Sequence, residues 1–351
     1  MADVQGQFEG FHEAIKLKRF EENQTLRDKR DIIRKKLREN LPAVFERHGE
    51  GSWEFSFRDQ GSYEMGTGIK PLDGDYDIDQ GLYFEVGTDV YADPVVLKQR
   101  VHEALDGHTD DVRIRRPCVT VFYHRDGERI YHVDIAVYSA GSQNADSKAR
   151  LAKGRENSAE EYRVWEVSDP QTLADAIFDR FTGNDRDQFR RVVRYLKRWR
   201  DENFSEGGNA APLGIGLTVA AYDHLRPTYT DVFAGKADDL GALRALVRAI
   251  LGRFTWVWDN DEQKLVQRLS ITLPVEPWSD LFAQMTNRQM GEFEEKLEAL
   301  LEALDAADRS VDPVEACETL QAVFGPDFPV PKREETGKRH RPAIVSSSNS
   351  A

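Results

Sequence analysis

Four aspartates occupy every second position in the run Asp73-Gly74-Asp75-Tyr76-Asp77-Ile78-Asp79. Carboxylates so close together repel, and nothing in folding rewards that crowding. A calcium loop of the EF-hand type takes Asp73, Asp75 and Asp77 as its first, third and fifth positions. It then needs Gly where Ile78 stands and a bidentate Glu where Phe84 stands, so it fails. An acidic turn accounts for Asp73 and Asp75, which flank Gly74. It does poorly for Asp77 and Asp79, which alternate with Tyr76, Ile78 and Leu82 as residues of a strand do, where aspartate is depleted. The remaining reading is a divalent-cation site. Side chains at i and i+2 of a strand share a face, so Asp77 and Asp79 offer hard oxygen ligands together. Asp134, fifty-five positions after Asp79 in YHVDIAVY, supplies a third carboxylate from another strand. Such an oxygen cage suits Mg²⁺, with Mn²⁺ as a substitute. Two ions roughly 3.5–4 Å apart serve in-line transfer that releases pyrophosphate.

Ahead of this run lies GSYEMGTG. Gly61 and Gly66 have P-loop separation, but Thr67 stands where the lysine belongs, and no GxGxxG fingerprint occurs. A Gly-Ser turn before a metal-binding strand can still hold a triphosphate through backbone N–H groups and the Ser62 hydroxyl.

The elements that must position these groups follow from periodicity. Residues from about Phe11 to Arg47 read as helix, with Leu26, Ile33, Leu37, Leu41 and Val44 at three- to four-residue spacing. Pro42 is expected to bend or end part of it. WEFSFRDQGS reads as a strand entering the turn, and residues 75–86 as a second strand with the aspartates opposite its apolar face. A helix over about 93–105 precedes two alternating runs, 118–124 and 129–138, joined by RDGE, a hairpin signal. In the second run His132, Asp134 and Ala136 share one face. The small, polar stretch SAGSQNADSKARLAKGREN suggests a border between lobes, beyond which the chain reads as mainly helical. Phe189, Val192, Val193 and Leu196 form the buried stripe of one helix, and Phe293, Leu297, Leu300, Leu301 and Leu304 that of another.

With 351 residues, of which 40% are hydrophobic and 31% charged, the chain suits one large domain or two packed lobes. No apolar run approaches the roughly 20 residues of a membrane span, and the N-terminus lacks signal-peptide features. Two cysteines, Cys118 and Cys317, without CxxC or Cys/His clusters fit a cytoplasmic protein without disulfides or structural zinc. A net charge of −14 argues against constitutive binding of duplex DNA. Within that acidic whole, residues 185–200 hold seven basic residues against two acids, which suggests a localised anionic ligand.

The Gly-Ser turn, DYDID and a later strand aspartate together resemble the polymerase-β-like nucleotidyltransferase superfamily. QGSYEMGTGIKPLDGDYDIDQGLYF, YHVDIAVY, YLKRWRDENF and PLGIGLTVAAY are similar to the bacterial cGAS/DncV-like nucleotidyltransferases, the CD-NTases. LPVEPWSDLFAQMTNRQMGEFEEKLEALLEAL resembles their C-terminal helical region, so the resemblance runs from about residue 10 to 330. It implies an α+β fold in which a nucleotidyltransferase lobe with a mixed sheet packs on a helical lobe, with the active-site cleft between them. On that expectation residues 1–48 are a long bridging helix, 49–150 the catalytic core, 151–330 the helical lobe and 331–351 a flexible tail.

The resemblance also implies an enzyme of CBASS anti-phage defence, making a cyclic di- or trinucleotide that activates a separate effector. Asp77, Asp79 and Asp134 would be the metal ligands, with Asp134 helping to activate the attacking ribose hydroxyl. Gln60, Gly61 and Ser62 would lie at the triphosphate and Lys197 would neutralise it. Family members often carry a phosphate-contacting Ser in the loop after that helix; here the stretch reads AAPLGIGLT, without it. The implied partners are nucleoside triphosphates (ATP, GTP or pyrimidine nucleotides) and a CBASS accessory protein. That protein would be a ubiquitin-transfer-like enzyme acting at the C-terminal tail, or a HORMA protein. The zinc-bearing insertion and basic surfaces of the DNA-sensing animal relative are missing. Two rival readings stay open: transfer of a nucleotide to an RNA end or protein side chain, and a catalytically silent nucleotide-binding scaffold.

Overall fold

The computed structural model describes residues 2–17, 22–204 and 211–333. Two helices open the chain, α1 (Gln5–Ile15) and α2 (Glu22–Arg47), where periodicity predicts one. The first ends because Lys16 turns extended and forms a β-bridge with Ile69. α2 runs through Pro42 without ending. Leu41, Val44 and Phe45 are buried around that proline, so tertiary packing outweighs one missing helical hydrogen bond.

The next elements are β1 (Phe55–Asp59), the single turn α3 (Gly61–Glu64) and β2 (Tyr76–Phe84). After them come α4 (Pro94–Ala104), β3 (Val112–Ile114), β4 (Val119–Arg125) and β5 (Glu128–Ser139). The sheet order is β1-β2-β5-β4-β3, with β2 parallel to β5 and the other pairs of this set antiparallel. Asp126 and Gly127 join β4 to β5 with φ of 55° and 85°, the doubly left-handed turn that Asp-Gly favours.

One sheet face is apolar. Ile78, Leu82, Phe84, Val119, Val121, Val133, Ile135 and Val137 pack there with Ile33, Leu37, Leu41 and Val44 of α2 and Leu97 and Val101 of α4. Each such side chain contributes about 1.5–3 kcal/mol on burial, and this one-sided core fixes the register that turns Asp77, Asp79 and Asp134 to the opposite face.

Strands β6 (Arg150–Lys153) and β7 (Val164–Val167) lie where composition suggests the border near residue 150. They extend the same sheet from the end of β5, so we propose a division after Val167 instead. Then follow α5 (Pro170–Asp179), α6 (Gly183–Asn203) and α7 (Gly214–His224). A small hairpin, β8 (Tyr229–Asp231) and β9 (Lys236–Ala237), precedes α8 (Asp239–Leu251). A second hairpin, β10 (Thr255–Asp259) and β11 (Lys264–Arg268), precedes α9 (Asn287–Arg309) and α10 (Pro313–Phe324). Phe189, Val192, Val193 and Leu196 of α6 and Phe293, Leu297, Leu300 and Leu304 of α9 are buried in one core. Phe8, Phe11 and Ile15 of α1 join it, so the two N-terminal helices serve different cores. The architecture is α+β, a mixed sheet backed by helices and packed on a helical lobe. Among the described residues no helix is long and apolar enough to cross a membrane. Of the tail expected from 331, residues 334–351 lie outside the described residues.

Candidate active site

The β2–β5 register brings the distant aspartates together. Asp79 is paired with Asp134, and Asp77 with His132. Partners in register on a parallel pair project to the same side, so all four stand on the face opposite the apolar core. A carboxylate oxygen of Asp77, a ring nitrogen of His132 and a carboxylate oxygen of Asp134 lie within 4.8 Å of one another. Asp79 packs beside the Gly-Ser turn: a Cβ at Gly61 would fall 1.7 Å from its Oδ2. Gly61 also has φ of 71°, so position 61 excludes other residues on two counts.

Crowding leaves an electrostatic signature. Burial first, then Asp77 and Asp134, push the Asp79 carboxyl well above the usual range. Asp77 is pushed up to about 6, by burial and then by Asp134 and Asp75, while His132 and Lys197 oppose the rise. Asp77 keeps solvent contact while it is walled in by both lobes, so water screens part of that effect. Two carboxyls raised by burial and by neighbouring acids mark a site short of positive charge, which is what a divalent cation supplies.

Asp134 is held from β4. Thr120 is its register partner and donates from Oγ1 to Asp134 Oδ1 at 2.5 Å. Behind it lies Cys118, with Sγ 3.4 Å from Thr120 Oγ1; burial, then Asp134, pushes this thiol up to about 12. Asp75 proves to be more than a turn residue. Asp73 accepts its backbone N–H at 3.0 Å, and its own carboxylate meets His132 Nδ1 at 2.9 Å. Its signal was in the sequence, since Asp75 continues the i, i+2 face of Asp77.

Asp77 and Asp79 open into a cleft of about 450 Å³ lined from both lobes. Gln60, Gly61, Ser62, Asp77 and Asp79 form one wall, and Lys197, Arg200 and Asp201 of α6 the other. Apolar lining comes from Leu173, Ile69 and Ile215. Lys197 is 6% exposed and donates to the Thr67 carbonyl at 3.1 Å and to Thr67 Oγ1 at 3.2 Å. Burial, then Arg200 and Arg194, bring its ammonium down to about 7. Gln60 faces back toward the sheet, where its Oε1 accepts from the Tyr138 hydroxyl at 3.4 Å. Arg200, the last of the basic residues in the 185–200 run, is paired with Asp201 through Nε at 2.7 Å. Its place in the cleft depends on the close approach of Gly214, where a Cβ would meet Arg200 Nη1 at 2.8 Å.

Residues 55–138 match the family described as cyclic GMP-AMP synthase DncV-like, nucleotidyltransferase domain. That segment contains Gln60, Gly61, Ser62, Asp77, Asp79 and Asp134. Over that segment the chain is similar to the cGAS/DncV-like nucleotidyltransferases. A cyclic GMP-AMP synthase of Escherichia albertii is 25% identical over 200 residues, covering 54% of this chain and 40% of that protein. The chain thus matches about two fifths of the length of that curated protein. Its fold resembles the crystal structure of Vibrio cholerae DncV cyclic AMP-GMP synthase. The TM-score is 0.67, the identity 19%, and 92% of this chain and 95% of that one are covered. It also resembles the E. coli MS115-1 CdnC structure with ATP. Here the TM-score is 0.64, the identity 18%, and 93% and 98% of the chains are covered.

Proposed function

We propose that the protein is a cyclic oligonucleotide synthase acting in CBASS anti-phage defence, which joins ribonucleoside triphosphates with loss of pyrophosphate. The observation carrying this reading is the register of Asp79 with Asp134 beside Asp77, facing Lys197 across the cleft.

The donor set fits a hard divalent cation: carboxylate oxygens on one face, each short of positive charge. Asp77, Asp79 and Asp134 would hold Mg²⁺ or Mn²⁺, which when bound supplies Lewis-acid charge at the transferring phosphate. The chain's own residues orient the rest. The Gly61-Ser62 turn offers N–H groups and a hydroxyl to the triphosphate, and Lys197 exchanges Thr67 for phosphate oxygens. Leu173, Ile69 and Ile215 give the base an apolar slot. Asp134, fixed by Thr120, holds the attacking ribose hydroxyl. A new bond joins that oxygen to the α-phosphorus, the α–β bridging bond breaks, pyrophosphate leaves, and the hydroxyl proton passes by way of Asp134 to water. Most of the acceleration on this scheme is positioning and charge stabilisation.

Mass spectrometry of products from all four nucleoside triphosphates with Mg²⁺ or Mn²⁺, and no added acceptor, tests the reading. Small phosphatase-resistant cyclic products are expected, absent from folded Asp77→Ala and Asp79→Ala variants. Nucleotide transferred only when RNA or protein is added would assign the site to another acceptor. ATP binding with no pyrophosphate release would leave a scaffold.

A further inference from the structure

The hairpin of β10 and β11 stands out in solvent with apolar side chains uncovered. Its register pairs Trp256 with Gln267, Val257 with Val266 and Trp258 with Leu265. Side chains two apart on a strand share a face, so Trp256, Trp258 and Leu265 make one face, 65, 53 and 55% exposed. Val257, on the other face, is 46% exposed. The arm is firmly built all the same. Asp259 Oδ1 accepts the backbone N–H groups of Asp261 and Glu262, each at 2.8 Å, which sets the turn. Asn287 of α9 donates to Asp259 Oδ2 at 2.5 Å, and Arg268 donates to the Met285 carbonyl at 2.7 Å. Two indole rings held in water on an anchored arm gain the chain nothing in folding; an uncovered aromatic face of this kind marks a contact surface.

Strand pairing and charge say what covers it. Among the described residues β10 pairs with β11 alone, and a two-stranded sheet is marginal in water without a third strand. The free edge of β10 offers its N–H and C=O groups to such a strand. Charge runs along it unevenly: exposed Arg253 precedes β10, while Asp259, Asp261 and Glu262 follow, with Lys264 answering Glu262 at 2.6 Å. A strand basic at its start and acidic at its end is complementary to itself run antiparallel. The same acidic turn disfavours the negatively charged surface of a membrane. We propose that β10 pairs antiparallel with β10 of a second copy, about a twofold axis through Val257. That register sets Trp256 beside the second copy's Trp258 on one face, and the reverse pair beside it. It joins the two Val257 side chains on the other face and brings Arg253 toward Asp261 at both ends. The contact closes on itself, as a twofold interface must, and it turns two marginal hairpins into one four-stranded sheet.

The test is sedimentation velocity of the full chain over concentrations from about 1 μM to about 1 mM. A monomer–dimer equilibrium is expected, with tryptophan emission moving to the blue as the dimer forms. Trp256→Thr/Trp258→Thr keeps residues that favour strands and should raise the dimer dissociation constant about tenfold or more. Arg253→Glu lies outside the strand, so the hairpin is undisturbed, and it should raise the constant about fivefold. Arg253→Glu/Asp261→Arg reverses both charges and should restore the dimer, a rescue that no partner other than a second copy would give. Protein that stays monomeric throughout would overturn the proposal, as would a dimer that the tryptophan and charge variants leave unchanged. Weakening by Arg253→Glu that the double reversal fails to repair would overturn it too.

Discussion

The Asp79 carboxylate occupies the space that a side chain at position 61 would need: a Cβ on Gly61 lands 1.7 Å from Oδ2. The turn that would hold phosphate and the strand that would hold metal are thus in contact, and neither can move without the other. Alanine at 61 must displace Asp79 and also sit at φ of 71°, a left-handed geometry costing about 1–2 kcal/mol. Gly61→Ala should therefore lose nucleotidyl transfer by two or more orders of magnitude while remaining folded. Circular dichroism and pyrophosphate release measured on one preparation check this; retained turnover would detach Asp79 from the site.

Lys197 gives a pH dependence with a definite sign. Its ammonium titrates at about 7 in the free protein, far below its ordinary value of about 10.4. A triphosphate favours the charged form, so binding above pH 7 must take up a proton. Affinity should hold below pH 7 and weaken by up to about tenfold per pH unit above it. Calorimetry in buffers of differing ionisation heat reads the proton uptake directly. Lys197→Met should bind more weakly and abolish the pH slope.

Asp77 gives a dependence of opposite origin. Its folded pKa of about 6 lies above its ordinary value of 3.8. A group raised in this way favours the folded state while protonated, and that contribution is lost as pH rises through about 6. The loss runs from about pH 4 to about 6, so the metal-free protein should be less stable at pH 7.5 than at pH 5, and divalent cation should restore it. Thermal unfolding at both pH values, with and without Mn²⁺, is the measurement. A rise of a few degrees is expected at pH 7.5 and little at pH 5. Asp77→Asn should melt higher than the parent without metal and respond to it less.

How much of this was legible depended on how local each fact was. The alternation in DYDID and YHVDIAVY is local and places Asp77, Asp79 and Asp134 on strand faces, and the Asp-Gly turn from β4 to β5 is equally local. Which strands pair is not: that β2 lies parallel to β5 with Asp79 against Asp134 is decided by the helices packed behind the sheet. Asp75 was read as a turn residue because its partner, His132, is distant in sequence. Which of the seven basic residues of 185–200 line the cleft was not legible, because Gly214, the neighbour of Arg200 there, arrives on a separate helix. The break before α2 and the helix continuing past Pro42 reflect burial against two different cores, which a single periodic stripe does not distinguish.

Thr120 supplies the last prediction, and its signal was likewise non-local. Its hydroxyl donates to Asp134 Oδ1, which fixes the orientation of that carboxylate. Groups that orient metal ligands are typically worth 10–100-fold in metal affinity or activity. Thr120→Val keeps the shape and removes the donor, so it should lower Mn²⁺ affinity, read by electron paramagnetic resonance of the free ion, by about that factor. Thr120→Ser restores the donor and should recover most of the affinity. If valine and serine behave alike, Thr120 fills space, and Asp134 is oriented by the sheet itself.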